Sequence, residues 1–169
     1  MNYAKIDKCD TANGEGVRVS LFVSGCSINC PGCFNKPAQD FKFGKEFSQD
    51  TLDEILNLCE SPYISGLSLL GGDPLHPKNV PTISSLVKAF RQRFRDTKTI
   101  WCWTGYTLEQ LKERGDPSIS YILDNIDVLV DGPFVESLKD PSLSWRGSSN
   151  QRVLLKPYTH PSGHLTNSP

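Results

Sequence analysis

Short apolar runs ended by glycine alternate along this chain with stretches whose apolar positions recur at helical spacing. The run at 17–24 (VRVSLFVS) is rich in β-branched and aromatic residues and stops at Gly25. Runs at 67–70 (LSLL), 99–103 (TIWCW), 128–130 (VLV) and 152–155 (RVLL) complete five candidate strands. Such runs, bounded by turn residues, suit strands of a buried parallel sheet. Between them, Leu52, Ile55, Leu56 and Cys59 fall at i, i+3, i+4 and i+7, behind the capping-box pattern Thr51-Leu-Asp-Glu54. Ile83, Leu86, Val87, Phe90 and Phe94 form a second stripe, with Pro81 near its start, where a missing N–H costs little. Thr107-Leu-Glu-Gln110 opens a third helix, and residues 119–124 form a fourth. This alternation predicts an α/β fold with a parallel sheet and right-handed crossovers.

The distinctive clusters all follow directly on a strand: Ser24-Gly25-Cys26, Gly71-Gly72-Asp73-Pro74, Thr104-Gly105-Tyr106 and Asp131-Gly132-Pro133. Loops at the carboxyl ends of parallel strands build the site in such folds. A full eight-stranded barrel takes about 200–250 residues or more. With 169 residues, the expectation is a single domain over 1–156 built as an incomplete, open parallel β/α barrel of five or six strands. The tail 157–169, with three prolines and little apolar content, reads as mobile.

A net charge of −1 supplies no overall basic field for a nucleic acid. No apolar run approaches the roughly 18 residues of a membrane span, and the start, Met1-Asn-Tyr-Ala-Lys, lacks a signal-peptide core. Six cysteines without a secretion signal then suggest a cytoplasmic protein whose clustered thiols bind metal or do chemistry. Cys26, Cys30 and Cys33 form a C-x3-C-x2-C triplet (CSINCPGC), with turn chemistry from Gly25 and Pro31-Gly32. Three readings compete. The thiols could be structural. They could belong to a zinc-stabilised binding module, although a closed zinc site takes four ligands and no second C-x-x-C pair exists. Or they hold an iron–sulfur cluster with one iron left open for an external ligand.

The triplet at the end of a first strand resembles the signature of the radical S-adenosylmethionine (SAM) superfamily, and Gly71-Gly72-Asp73-Pro74 resembles its glycine-rich second motif. Within it, the stretches at 22–36 (FVSGCSINCPGCFNK), 70–81 (LGGDPLHPKNVP), 101–106 (WCWTGY), 129–135 (LVDGPFV) and 138–152 (LKDPSLSWRGSSNQR) are similar to the small glycyl-radical activases that serve anaerobic ribonucleoside-triphosphate reductase. The resemblance covers about residues 1–156. It implies one 4Fe-4S cluster on Cys26, Cys30 and Cys33, with SAM on the fourth iron. It further implies reductive cleavage of SAM to a 5′-deoxyadenosyl radical, and hydrogen abstraction from a glycine of the reductase. The implied electron source is a reduced flavodoxin-type protein. The implied SAM contacts are Gly32, Cys33, Phe34, Gly71, Gly72, Asp73, Thr104 and Asp131. Many superfamily members carry an aromatic residue just before the third cysteine, where this chain has Gly32, and end the second motif in Glu rather than Asp73. A radical SAM enzyme with a different target is the alternative within the same chemistry.

Other positions carry weaker signals. The loop 13–18 either connects or presents an arginine to the site. Of Trp101 and Trp103, one is expected in the core. The loop 145–150 (WRGSSN) reads either as a partner-contact loop at the mouth or as a solvated connection. Arg91, Arg93 and Arg95 close a helix, where positive charge complements the dipole.

Overall fold

A computed structural model describes residues 1–158; the expected mobile tail lies, from 159 onward, outside the described residues. The elements run β1 (Asn2–Asp10), β2 (Val17–Val23), β3 (Lys45–Glu46), α1 (Gln49–Cys59), β4 (Ile64–Gly71), α2 (Val80–Phe94), β5 (Thr99–Trp103), α3 (Leu108–Glu113), α4 (Pro117–Asn125), β6 (Val128–Asp131) and β7 (Arg152–Leu155). The described strands form one sheet in the order β3-β1-β2-β4-β5-β6-β7. β2, β4, β5 and β6 run parallel, as the alternation of strand and helix requires. β1 pairs antiparallel to β2, β3 to β1, and β7 to β6. The sheet is therefore mixed, with a parallel centre. β7 departs from the all-parallel expectation because no α-helix intervenes between β6 and β7 to carry the chain back to the starting edge. β1, which β3 covers only at Asn2 and Tyr3, mixes charged and half-buried residues (NYAKIDKCD), so its sequence carries no apolar run.

One face of the sheet, with Val19, Leu21, Leu67, Leu69, Ile100, Cys102, Leu129 and Leu154, packs on the apolar stripes of the helices to form the main core. α1 starts three residues earlier than its pattern suggested. Ser48 is the N-cap and exchanges bonds with Thr51, so Thr51 closes the box rather than opening it. The box at Thr107 and Gln110 forms as read. Trp101, Val128, Val130 and Val153 make a smaller cluster on the opposite face, with Trp103 against it. Trp101 is the buried one of the pair, as expected, and because residues two apart on a strand share a face, Trp103 stacks beside it (ring centroids 5.7 Å apart). Trp145 packs edge-on to Trp101, and its carbonyl accepts from Trp103 Nε1 at 2.7 Å.

Arg18 does not reach the site. It is fully buried at the amino ends of the parallel strands. Its guanidinium donates to Ser68 Oγ (2.7 Å), Glu15 O (3.1 Å), Thr99 Oγ1 (2.9 Å), Leu67 O (2.9 Å) and Thr99 O (3.0 Å). Burial pulls its pKa down to about 10, which leaves it charged at neutral pH. The arginines ending α2 are also occupied: Arg91 bonds Asn125 O, Lys98 O and the Asp127 carboxylate. Tyr158 packs on the core and donates to Ile126 O at 3.2 Å.

Candidate functional site

The thiols leave the sheet with the chain at the carboxyl end of β2. Asn29 and Gly32 have positive φ (58° and 73°), and Cys33 N–H donates to Cys30 O at 3.2 Å, which turns the chain tightly around the last two cysteines. Cys26, Cys30 and Cys33 are all free and partly exposed. Burial pushes the Cys26 thiol above its ordinary value, against hydrogen bonds from the backbone of Ile28 and Asn29.

The chain then returns beneath this loop through a 3-10 turn at Lys36–Gln39. Gly25 N–H donates to Ala38 O at 2.7 Å and Cys26 N–H to Gln39 O at 3.1 Å. From the neighbouring strand, Gly72 N–H donates to Val23 O (2.7 Å) and Asp73 N–H to Gly25 O (2.9 Å). A methyl group on Gly72 would lie 2.7 Å from both Ala38 O and Gly25 O. Only glycine lets the two loops approach this closely. The side-chain amide of Asn79, 1% exposed, donates to Ser24 O (3.1 Å), Gly25 O (3.3 Å) and Asp73 O (2.9 Å) and so ties both loops to the start of α2. The loop after β5 joins from the other side, with Gly105 lying against Ile28.

The acidic residues at the strand ends face inward. Asp73 is fully buried, and its carboxylate accepts from Thr104 Oγ1 (2.9 and 3.1 Å), Gly105 N–H (3.0 Å) and Leu75 N–H (2.8 Å). Burial raises its pKa to about 6, although these three donors oppose the shift. Asp131, 1% exposed, accepts from Leu108 N–H at 2.7 Å and from Arg152 Nε at 2.9 Å, and Glu109 holds the outer side of that guanidinium at 2.8 Å. The side chains of Asp73, Thr104 and Asp131 thus brace strand ends. Cys26, Cys30, Gly32, Cys33 and Phe34 share one loop, against which Gly72, Asp73 and Gly105 are brought. Asp131 stands at the same end of the sheet but turns toward α3 and β7.

The sequence profile of the 4Fe-4S single cluster domain matches residues 12–154. The chain is 48% identical over 155 residues to the anaerobic ribonucleoside-triphosphate reductase-activating protein of Escherichia coli K12, covering 90% of this chain and 97% of that one. This chain belongs to that family. Proteins of the same name from Vibrio cholerae (44% identical; 90% and 97% covered) and from Enterobacteria phage T4 (42% over 153 residues; 90% and 93% covered) are also similar to it.

For a 4Fe-4S single cluster domain the donor set fits, since thiolates are the usual ligands of such clusters and three free ones share this turn. Among the described residues, no three His, Cys, Asp or Glu side chains close on a single metal ion. The other cysteines lie elsewhere. Cys59 and Cys102 are fully buried in the core. Burial pushes Cys59 up to about 12 and Cys102 well above its ordinary value. Cys9 is exposed on β1.

Two residues of this end escape sequence reading. Asn79 sits in an ordinary helix-start context, and its partners lie 54 and 55 positions away. Glu136 follows β6, and a methyl on Gly32 would lie 2.8 Å from its Cδ and Oε1.

Proposed function

We propose that this chain is the activating protein of an anaerobic ribonucleoside-triphosphate reductase, working as a cytoplasmic radical SAM enzyme whose activase domain spans residues 1–156. Three free thiols on one turn, with loops from three neighbouring strands packed against it, carry this reading. Cys26, Cys30 and Cys33 would hold the 4Fe-4S cluster. Bound there, the reduced cluster would supply the one electron that cleaves the C–S bond of SAM to methionine and a 5′-deoxyadenosyl group, which would abstract hydrogen from a glycine of the reductase. Among the described residues no helix is long and apolar enough to cross a membrane.

The chain's own part is orientation and exclusion. Asp73, Thr104 and Asp131 fix the strand ends, so the contacts of Gly71, Gly72 and Asp73 to SAM come from backbone groups held by Asn79. Phe34, 89% exposed beside Cys33, offers an unpartnered aromatic face to SAM or to the reductase. The parallel centre of the sheet belongs to a partial barrel, open on one side, with Trp145 and Arg146 on the rim where the reductase segment closes it. A reduced flavodoxin-type protein donates the electron.

Anaerobic reconstitution tests this reading. Iron, sulfide and visible absorption should report one 4Fe-4S cluster, and adding SAM with the reductase subunit should give a glycyl radical by electron paramagnetic resonance. SAM cleavage with no radical on the reductase means a different target. One zinc and no colour means no radical chemistry at all.

A further inference from the structure

The acidic residue of the glycine-rich motif is the natural candidate to meet a cationic cofactor, yet the Asp73 carboxylate is fully buried and saturated by donors from the protein. Asp131 is likewise closed by Arg152 and Leu108 N–H. A different carboxylate stands against the cysteine loop. Glu136 opens a 3-10 turn at Glu136–Leu138, in the connection that leaves the carboxyl end of β6. Its side chain fills the space over Gly32, between the second and third thiols: a Cβ there would meet Glu136 Cδ and Oε1 at 2.8 Å and Cγ at 3.2 Å. Position 32 needs glycine for its φ of 73°, and the end of the Glu136 side chain lies in the room that the missing side chain leaves. Glu136 is exposed and takes part in none of the six described ion pairs.

We propose that Glu136 is the acidic positioning residue of the site: its carboxylate pairs with the cationic methionyl end of SAM beside the cluster loop. This rests on the functional reading above. SAM carries a permanently charged sulfonium, and a cation brought to a cluster on this turn comes within reach of the carboxylate that leans on the turn. Their attraction is strongest where protein and cofactor exclude water from between them. The same charge acts on the cluster, because a fixed anion beside it opposes addition of an electron, and net charge and surroundings set cluster potentials. A bound cation offsets that anion. Cofactor binding and electron uptake are thereby coupled through one side chain, and the chain is held less reducible while its cofactor is absent.

The experiment compares wild type, Glu136→Gln and Glu136→Asp after anaerobic reconstitution, with iron and sulfide content as the control. Two quantities are read: the dissociation constant for SAM, and the cluster midpoint potential with and without SAM. Glu136→Gln should keep a full cluster and bind SAM at least tenfold more weakly. Its midpoint without SAM should be higher than wild type, and the further rise on adding SAM smaller. Glu136→Asp, which keeps the charge, should fall between the two. Full cluster with wild-type SAM affinity in Glu136→Gln overturns the proposal. So does a weakened affinity with an unmoved potential, since that marks a merely structural contact. A wild-type protein that forms no cluster or binds no SAM instead overturns the functional reading itself.

Discussion

Two buried charges stand at opposite ends of the sheet's parallel centre, and among the described residues neither has an ion-pair partner. Arg18, at the amino ends, directs its guanidinium at carbonyl and hydroxyl oxygens of three chain segments. Asp73, at the carboxyl ends, gathers a hydroxyl and two amide N–H groups. Burial disfavours both charges, but a guanidinium drawn down to about 10 still keeps its proton throughout the physiological range. A carboxyl raised to about 6 lies close to titration. One end is thus a permanent plug, and the other is braced by a group whose charge responds to pH. The cysteine loop is built at the responsive end.

The largest effect expected is the loss of each thiol. Cys26, Cys30 or Cys33 changed to Ala should eliminate the cluster, read by iron content and visible absorption, while circular dichroism shows the Arg18 end still folded. Cys9, Cys59 and Cys102 variants should retain the cluster. Next comes the plug. Arg18→Met leaves several buried oxygens without donors and should destabilise the chain by roughly 3–5 kcal/mol in urea unfolding. A loss below about 1 kcal/mol would mean that water reaches these oxygens and the two ends are not alike.

Asp73 supplies a smaller, pH-dependent effect. Its folded pKa lies above its ordinary value of 3.8, so the folded state binds the proton more tightly. Stability should therefore fall as pH rises from about 4 to about 6, by an amount on the order of 2–3 kcal/mol at full ionisation. Asp73→Asn should flatten this slope in unfolding measured from about pH 3.5 to about pH 7. The smallest effect belongs to Glu109. Its bond to Arg152 holds its pKa down to about 2, yet its side chain is 59% exposed. Glu109→Gln should cost no more than about 0.5–1 kcal/mol, because solvent screens such pairs.

The parallel strands β2, β4, β5 and β6, the four helices and the thiol triplet were legible because each leaves a local mark: an apolar run, a 3.6-residue period, a spacing. β1 left none, since a strand with Lys5, Asp7 and Lys8, mostly uncovered by β3, carries no apolar run. The position of Asp73 at a strand end was readable, but the inward turn of its oxygens was not. That depends on Thr104 and Gly105, which sequence places far away and the sheet places beside it. Arg18 was left open for a related reason: a residue at the start of a strand can turn to either end of the sheet, and only the packed structure settles which.

The amide of Asn79 leads to a rule of substitution. Among the described residues it meets three carbonyl oxygens and no donor. Asp would match its shape atom for atom and yet confront those oxygens with a fourth acceptor. Gln would keep the donors but carry them one methylene too far. Ser would fall short of the loops altogether. Position 79 therefore reads as interchangeable by size and unique by chemistry, and the alignment of the two loops beneath the thiols depends on whether a single atom there is nitrogen or oxygen.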